Sequence, residues 1–442
     1  MLGKSSFRKR SATVGLLVFG VLMGAAWAQT ETVLYNFCAR NNCADGDEPF
    51  SALVFDRQGD LYGTTFSGGA NASSCNDLGC GVVFKLTPKS KETVLHSFCA
   101  KNNCEDGSNP ARGVIFDQEA NLYGTTYYGG AYGGGVVFRL TPNGKETVLH
   151  NFCGQTDCAD GRTPADLVFD RQGNLYGTTF WGGANFSSCN DLGCGVVFKL
   201  TPKGKETVLY NFCSKGSGYN CPDGALPNGV ILDQKGNLYG TTTLGGTNSS
   251  GVCDYVPAGC GVVFKLTPKG KETVLYNFCA QGGDKCTDGA DPEAGLTFDQ
   301  QGNLYGTTST GGAYDRGVVF KLTPEGKETV LYNFCAQGGI YKCTDGAVPN
   351  GVIYDQERNL YGMTAEGGAY ALYAGIAFRL TPEGEETILH SFCEQYACTD
   401  GAEPLAGLVF DQKGNLYGTT STGGAYYNWQ GYSGGVVFKL TP

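Results

Sequence analysis

Residues 195–212 read GVVFKLTPKGKETVLYNF, and the first eight letters of this stretch return with small changes throughout the chain. Val, Phe, Tyr and Thr favour extended strands, while Thr-Pro-Lys-Gly between the two apolar runs favours a tight turn. The stretch therefore predicts two antiparallel strands joined by a hairpin. Its seven copies lie 54 to 66 residues apart and begin at Gly81, Gly135, Gly195, Gly261, Gly317, Gly375 and Gly435.

A second string, Asn-Leu-Tyr-Gly-Thr-Thr, precedes each copy in step and reads as another strand. A short apolar run such as Leu53-Val54-Phe55 comes before it, separated by an Asp-x-x-Gly-Asn turn. Each repeat therefore predicts four short strands, and no segment has sustained helical periodicity. The strings begin at Asp60, Asn121, Asn174, Asn237, Asn303, Asn359 and Asn415.

Seven repeats of four antiparallel strands predict an all-β fold, a seven-bladed β-propeller. The repeats open with a fourth strand at 31–37 and close with a third strand at 436–440. We therefore expect the N-terminal strand to pair with the three C-terminal strands and close the ring. A solenoid would instead need shorter units and a polar cap at each end.

The two strings together resemble the GloVer tandem repeat of secreted bacterial proteins. The resemblance extends over residues 29–442 and recurs in all seven copies. It implies a propeller-like repeat protein that is exported from the cell, and it implies no particular activity.

The first 28 residues have the pattern of a secretory signal peptide. Four basic residues lie between Lys4 and Arg10, an apolar run covers 14–27, and Ala26-Trp27-Ala28 has the form of a cleavage site. We expect residues 29–442 to form a single secreted propeller with no membrane span. Without those four basic residues the formal net charge of −10 becomes −14, which disfavours nucleic acid as a partner.

The twenty cysteines fall into ten pairs of near neighbours, and both members of a pair are always present or both absent. In an exported protein this co-occurrence predicts ten local disulfides. Zinc is the rival interpretation, but ten thiol pairs of varied spacing without companion histidines disfavour it. We expect no metal and no cofactor. The predicted pairs are Cys38-Cys43, Cys75-Cys80, Cys99-Cys104, Cys153-Cys158, Cys189-Cys194, Cys213-Cys221, Cys253-Cys260, Cys279-Cys286, Cys335-Cys343 and Cys393-Cys398.

An Asp-Gly-x-x-Pro motif follows every fourth strand and admits two interpretations. Its aspartates form either a ring of carboxylates around the channel or the caps of seven local turns; the sevenfold repetition favours turns. The three histidines replace a tyrosine found at the same position in other copies, so we expect no His-based catalysis. The motif begins at Asp45, Asp106, Asp160, Asp223, Asp288, Asp345 and Asp400.

Sequence differences between the copies concentrate in the loop between the second and third strands. Aromatic residues there, next to Asn, Gln, Ser and Gly, are typical of sugar stacking or of an apolar protein contact. All ten cysteine pairs lie in this loop or in the loop after the fourth strand, which emerge on the same face of a propeller. The candidate binding residues are Tyr127, Tyr128, Trp181, Phe186, Tyr426, Tyr427, Trp429 and Tyr432.

These observations favour a secreted binding or scaffold module for an extracellular glycan or protein, rather than an enzyme. Two alternatives remain open. Rigid discs could polymerise into a filament or surface layer, because a contact that does not close propagates. The second alternative is a carbohydrate-active hydrolase or lyase that uses carboxylates in the mouth of the channel, because propellers include enzymes as well as binding modules.

Overall fold

The computed structural model describes residues 30–71, 74–75, 77–216, 218–251, 253, 257–339, 342–426 and 434–441. These residues form seven four-stranded antiparallel sheets, the blades of one ring, which confirms the predicted seven-bladed propeller. The predicted signal peptide lies outside the described residues. Within the described ranges, no helical segment has the length and hydropathy needed to cross a bilayer.

Each blade runs from an inner strand to an outer one in chain order. The strand that closes the ring is β1 (Thr30–Asn36). The first blade contains β2 (Val54–Phe55), β3 (Leu61–Thr65), β4 (Val82–Leu86) and β5 (Glu92–Ser97). The second contains β6 (Ile115–Phe116), β7 (Leu122–Thr126), β8 (Val136–Leu140) and β9 (Glu146–Asn151). The third contains β10 (Arg162–Phe169), β11 (Leu175–Trp181), β12 (Val196–Leu200) and β13 (Glu206–Asn211).

The remaining blades repeat this order. The fourth contains β14 (Ala225–Leu232), β15 (Leu238–Leu244), β16 (Val262–Leu266) and β17 (Glu272–Asn277). The fifth contains β18 (Thr297–Phe298), β19 (Leu304–Thr308), β20 (Val318–Leu322) and β21 (Glu328–Asn333). The sixth contains β22 (Ala347–Tyr354), β23 (Leu360–Glu366), β24 (Ile376–Leu380) and β25 (Glu386–Ser391). The seventh contains β26 (Val409–Phe410), β27 (Leu416–Thr420) and β28 (Val436–Thr441), with β1 as its outer strand.

The only helices in the described ranges are short 3-10 turns beside cysteines. They cover Asn41–Cys43, Asn102–Cys104, Thr156–Cys158, Phe186–Cys189, Gly283–Lys285 and Tyr396–Cys398.

The two ends of the chain meet in the seventh blade. Strand β1 pairs antiparallel with β28, with Glu31 opposite Leu440 and Asn36 opposite Val436. The seventh sheet therefore takes three strands from the C-terminal end and one from the N-terminal end. This is the predicted closure, and it leaves β28 no free edge.

A pair of phenylalanines joins each blade to the next. Phe37 follows the outer strand of the seventh blade, and its ring meets that of Phe84 in the first blade edge to face, at 5.0 Å between centroids. Both side chains are fully buried. Gly63 makes room for this ring, because a Cβ there would lie 2.8 Å from Phe84 Cζ. The other pairs are Phe98–Phe138, Phe152–Phe198, Phe212–Phe264, Phe278–Phe320, Phe334–Phe378 and Phe392–Phe438.

The Thr-Thr dipeptide that ends the second strand also bridges blades. Thr64 Oγ1 donates to the carbonyl of Arg112 in the next blade at 3.0 Å. Thr65 Oγ1 donates to the carbonyl of Ser67 and accepts from the N–H of Val82, which anchors the start of the third strand. In the sixth blade Met363 replaces the first threonine and packs fully buried. The repeated letters are therefore explained by buried hydrogen bonds.

Candidate functional site

Two classes of loop meet on one side of the ring. We call the segments between the fourth strand and the next blade the cysteine loops, and those between the second and third strands the blade loops; together they form the disulfide face. Gly69 N–H, in the first blade loop, donates to the carbonyl of Cys43 at 2.9 Å. The same bond recurs in every blade, from Gly130, Gly183, Gly246, Gly312, Gly368 and Gly424 to Cys104, Cys158, Cys221, Cys286, Cys343 and Cys398.

The structure joins each cysteine to its near neighbour, giving the ten bridges named above. In three blades a second bridge in the blade loop lies against the bridge of the cysteine loop. The sulfurs of Cys75, Cys80 and Cys104, for example, lie within 4.8 Å of one another. Disulfide sulfur is not a thiolate, so these groups stiffen the face and do not offer the ligand that zinc prefers.

The aspartates of the Asp-Gly-x-x-Pro motif lie inside the cysteine loops. Asp45 is fully buried and accepts hydrogen bonds from the backbone N–H groups of Ala39 and Arg40, at 2.9 and 3.1 Å. The other six make the same pair of bonds. The alternative of a carboxylate ring around the channel is therefore wrong, because these oxygens are used to cap local turns.

The histidines occupy the tyrosine position and contact the same aspartates. Tyr35 donates to Asp45 at 2.7 Å, whereas His96 Nε2 lies 3.2 Å from Asp106 Oδ2. Burial favours the neutral carboxyl, but the bonds from His96 and two backbone N–H groups hold the pKa of Asp106 below its usual range. His96 therefore has a structural partner of the kind that tyrosine has elsewhere.

A glutamate from each outer strand is buried against the cysteine loop of the preceding blade. Glu92 bonds to Arg40 at 2.6 Å, and Glu272 pairs with Lys215. Glu328 meets only the amide of Gln281, at 3.4 Å, and burial raises its pKa to about 8. One oxygen of each of these glutamates is buried without a hydrogen-bond partner: Glu31, Glu92, Glu146, Glu206, Glu272, Glu328 and Glu386.

Exposed aromatic side chains concentrate on the disulfide face. Eleven large apolar or aromatic residues are exposed in the described ranges, and ten of them lie in blade or cysteine loops. Eight of those ten are tyrosines: Tyr128, Tyr132, Tyr219, Tyr314, Tyr370, Tyr373, Tyr396 and Tyr426. Of this set, Tyr128 and Tyr426 were predicted from the sequence as binding residues, whereas Tyr132 and Tyr314 were not. Their signal was the recurrence of Gly-Gly-Ala-Tyr in four copies.

The predicted aromatic residues fall into three groups. Tyr127 and Trp181 are half-buried: Tyr127 lies near Phe66, and Trp181 packs edge to face on Phe180. Phe186 is also half-buried, at the start of a 3-10 turn. Tyr128 and Tyr426 are both 46% exposed. Tyr427, Trp429 and Tyr432 lie outside the described residues.

The inner strands, which face the ring axis, differ from blade to blade and contribute charge there. The guanidinium of Arg112 lies 6.0 Å from the centre of the Tyr127 ring. Tyr127, with Asp166 and Glu293, raises the pKa of Arg112 against the effect of burial. These residues belong to the second, third and fifth blades, so groups from three blades act electrostatically on one guanidinium. The sequence pattern did not predict this group.

Two grooves open on the opposite side of the ring, between the short turns. One lies between the seventh and first blades and encloses about 650 Å³; the other lies between the first and second and encloses about 700 Å³. They share the hairpin formed by Phe55, Asp56, Arg57 and Gln58. Asp56 is an ordinary hairpin residue, since its carboxylate accepts the N–H groups of Gln58 and Asp60 at 2.9 Å each.

Solved structures with the same fold share little sequence with this chain. The extracellular domain of a protein described as a one-component system from B. thetaiotaomicron is 15% identical, with a TM-score of 0.52. The match covers 93% of this chain but only 41% of that one, so the present chain spans less than half of its length. No curated protein sequence matches the chain significantly.

Two further similar structures have TM-scores below 0.5. A gluconolactonase from Xanthomonas campestris is 14% identical, with a TM-score of 0.39, over 74% of this chain and 83% of that one. A protein described as a 6-phosphogluconolactonase from Bacteroides uniformis is 14% identical, with a TM-score of 0.43, over 77% and 83%. At this level of identity the likeness concerns the fold alone.

The sequence comparison identifies the family of this chain, whereas these structural neighbours share only its fold. The family model named Gloeobacter/Verrucomicrobia repeat matches residues 18–253, 159–342 and 254–442. The overlapping matches include all seven copies of the Gly-Val-Val-Phe-Lys-Leu-Thr-Pro string, and the second and third strands pair in the same register in every blade. The chain therefore belongs to the Gloeobacter/Verrucomicrobia repeat family.

Proposed function

We propose that this chain is an exported, disulfide-stabilised module that binds an extracellular glycan or protein through its disulfide face. The observation that carries the proposal is the concentration of exposed tyrosines in the blade and cysteine loops. Tyrosine offers a flat apolar ring and a polar end at low conformational cost, which suits recognition surfaces. Ten disulfides support an oxidising compartment, in agreement with the predicted signal peptide.

The construction of the face supports binding more than catalysis. The carboxylates of the repeated Asp-Gly-x-x-Pro aspartates on the disulfide face accept hydrogen bonds from backbone N–H groups, as at Asp45. The histidines contact these same carboxylates. Bridged cysteine loops hold the tyrosines in place before any ligand arrives, which lowers the entropic cost of binding.

A glycan array probed with the native secreted protein tests this proposal, with negative-stain electron microscopy of the same sample and pull-downs against purified extracellular proteins. A reproducible glycan or protein ligand for dispersed discs supports it. Filaments or sheets with a disc-shaped repeat, without such a ligand, would contradict it and favour a structural subunit.

A further inference from the structure

Four exposed tyrosines occupy the same position in different blades. Tyr132, Tyr314, Tyr370 and Tyr426 each follow Gly-Gly-Ala in a blade loop, and they are 61%, 45%, 51% and 46% exposed. Three of them belong to consecutive blades, the fifth, sixth and seventh. We call these four residues the tyrosine array. No other exposed large apolar or aromatic side chain recurs at one repeat position in the described ranges.

Rigid backbone supports each position of the array. The glycine before Ala-Tyr donates to the carbonyl of the second cysteine of the adjacent cysteine loop, as Gly312 does to Cys286 at 2.8 Å. In the second, fifth and seventh blades the alanine N–H also donates to an asparagine of the outer strand, as Ala313 does to Asn333 Oδ1 at 2.7 Å. The backbone immediately before the tyrosine is therefore held by hydrogen bonds to neighbouring segments.

The array is absent where the blade loop contains a second disulfide. In those three blades the equivalent residue is an asparagine whose amide turns back onto the backbone, as Asn185 Nδ2 does to the Phe212 carbonyl at 2.7 Å. Asn71 and Asn248 make the corresponding bonds. The loops therefore form two structural classes, one closed by asparagine and disulfide and one that presents a tyrosine.

The chemistry of the array fits sugar better than protein. A protein contact is typically centred on a contiguous apolar core, whereas the described blade and cysteine loops expose only two large aliphatic residues, Leu192 and Leu405, which belong to different blades. Isolated tyrosine rings instead suit the apolar face of a sugar ring and its hydroxyl groups. The formal net charge of −10 disfavours binding of an anionic polymer through repulsion, and it does not oppose binding of a neutral polymer.

The regular placement of the rings fits a repeating ligand. A monosaccharide would contact one tyrosine, whereas a long chain can meet the rings of the fifth, sixth and seventh blades in turn. Linked contacts of this kind raise overall affinity without any new type of interaction.

We propose that the tyrosine array provides repeated stacking subsites for a neutral polysaccharide. This inference rests on the binding function proposed above and specifies its ligand and residues. A polypeptide ligand is the competing occupant, and the test below separates the two.

Affinity gel electrophoresis of the full-length protein is the direct test, with hydroxyethyl cellulose, xylan, galactomannan and dextran as neutral probes and alginate as the anionic one. We expect at least one neutral polymer to retard the protein and oligosaccharides of the same sugar to bind more tightly as they lengthen. Tyr314→Ala, Tyr370→Ala and Tyr426→Ala should each weaken binding roughly 3- to 10-fold, and the triple variant roughly 100-fold or more.

Two controls make the result specific. Tyr314→Phe retains the ring and should bind within about 2-fold of the native protein, since stacking needs the ring and not the hydroxyl. Ile388→Ala removes a large side chain that is 38% exposed on the outer strand β25, outside both loop classes, and it should leave binding unchanged. Circular dichroism of each variant establishes that the blades remain folded.

Three results would each refute the tyrosine array as the binding site while leaving a binding function intact: native binding by the triple variant, retardation by alginate alone, or loss of binding in Ile388→Ala alone. Retardation by none of the polymers, combined with a purified protein ligand in the pull-down, would replace polysaccharide by polypeptide. If the glycan array and the pull-down both found no ligand, the proposed function itself would fail, and the array with it.

Discussion

Tyr332 donates its phenolic O–H to the carboxylate of Asp345 at 2.8 Å, inside the cysteine loop that joins the fifth blade to the sixth. The same carboxylate accepts the N–H groups of Ala336 and Gln337, at 2.8 and 3.0 Å. Asp345 is fully buried, so these bonds are not replaced by water. One carboxylate therefore ties an outer strand to the loop that begins the next blade.

Asp345→Asn should loosen this loop. The amide can accept with one oxygen only, which leaves a buried donor unsatisfied, and we expect a loss of about 1–3 kcal/mol in the free energy of unfolding. Urea denaturation followed by circular dichroism measures the loss. The matched control is Asp355→Asn, in a hairpin turn at the opposite end of the sixth blade. It should lower the free energy of unfolding by less than Asp345→Asn does. Equal losses in the two variants would argue against a special role for the cap.

The buried glutamates predict a dependence of stability on pH. Burial raises the pKa of Glu328 to about 8, with Asp288 adding to the effect. When the pH is below the pKa of the unfolded state, a carboxyl whose pKa is raised on folding is protonated in both states and does not lower the free energy of unfolding. The folded state loses stability as the pH rises from about 4.5 through 8.

Glu328→Gln should therefore raise the melting temperature at pH 9 by roughly 2–4 °C and leave it unchanged at pH 4. Glu146→Gln is the matched control, because Glu146 occupies the same strand position and is paired with Lys101; removing that carboxylate should not raise the melting temperature at pH 9. Thermal scans followed by circular dichroism at both pH values measure the shifts. A Glu328→Gln variant that melts below the native protein at pH 9 would contradict the assignment.

The disulfides should differ in their resistance to reduction. Cys99-Cys104 and Cys153-Cys158 are half-buried, whereas Cys189-Cys194 and Cys253-Cys260 are fully buried. Exchange requires a thiolate to reach the sulfur, so the half-buried pairs should be reduced first. Alkylation at increasing reductant concentration, read by mass spectrometry, gives the order. Reduction of all ten pairs at one concentration would indicate that they open only on global unfolding.

Reduction should also affect the loops before the blades. We expect protease cleavage within the cysteine loops to rise while the β-sheet signal in circular dichroism is retained, because the blades are held by their own buried phenylalanines and strand pairing. Each small ring contributes about 2 kcal/mol in the loop-entropy model. Simultaneous loss of the sheet signal would mean that the bridges hold the fold itself.

Ring closure gives a further prediction. Removing residues 30–36 leaves the edge of β28, with Val436 and Phe438, without its partner. Exposed strand edges pair with other chains, so this truncation should shift the protein from monomer towards dimers and aggregates in size-exclusion chromatography. A truncation that removes only residues 1–29 is the control and should elute as a monomer. Identical elution of the two proteins would contradict closure by β1.

The fold could be predicted because its determinants are local and repeated. The glycine at Gly63, the Thr-Thr pair and the phenylalanine after the outer strand occur in the sequence as letters at fixed spacing, and each has a defined contact in the structure. The tyrosines of the array were also visible as a repeated Ala-Tyr. Tyr426 was among the predicted binding residues, whereas Tyr132 and Tyr314 were not, because the prediction rested on differences between the copies and these tyrosines recur.

The remaining features depend on contacts between blades that spacing does not reveal. Arg112, Asp166 and Glu293 are far apart in the chain, and their electrostatic interaction arises only in the folded ring. The inner strands also differ in length: β10, β14 and β22 have eight residues, whereas β2, β6, β18 and β26 have two. In the three blades with long inner strands, the segment from the proline of Asp-Gly-x-x-Pro to the aspartate of the next hairpin turn is one residue shorter than in the other four. The shapes of the two grooves on the turn side depend on the relative orientation of hairpins in neighbouring blades, which the repeated sequence alone does not predict.

Hydrogen–deuterium exchange of the native protein, with and without the polysaccharide that most retards it, tests most directly whether the disulfide face is the binding surface. We predict slower exchange in the blade loops at 309–317, 365–375 and 421–426, with no change in the hairpins at 56–59 and 411–415. Protection confined to those hairpins would place the ligand in the grooves on the opposite side of the ring and contradict the assignment of the disulfide face.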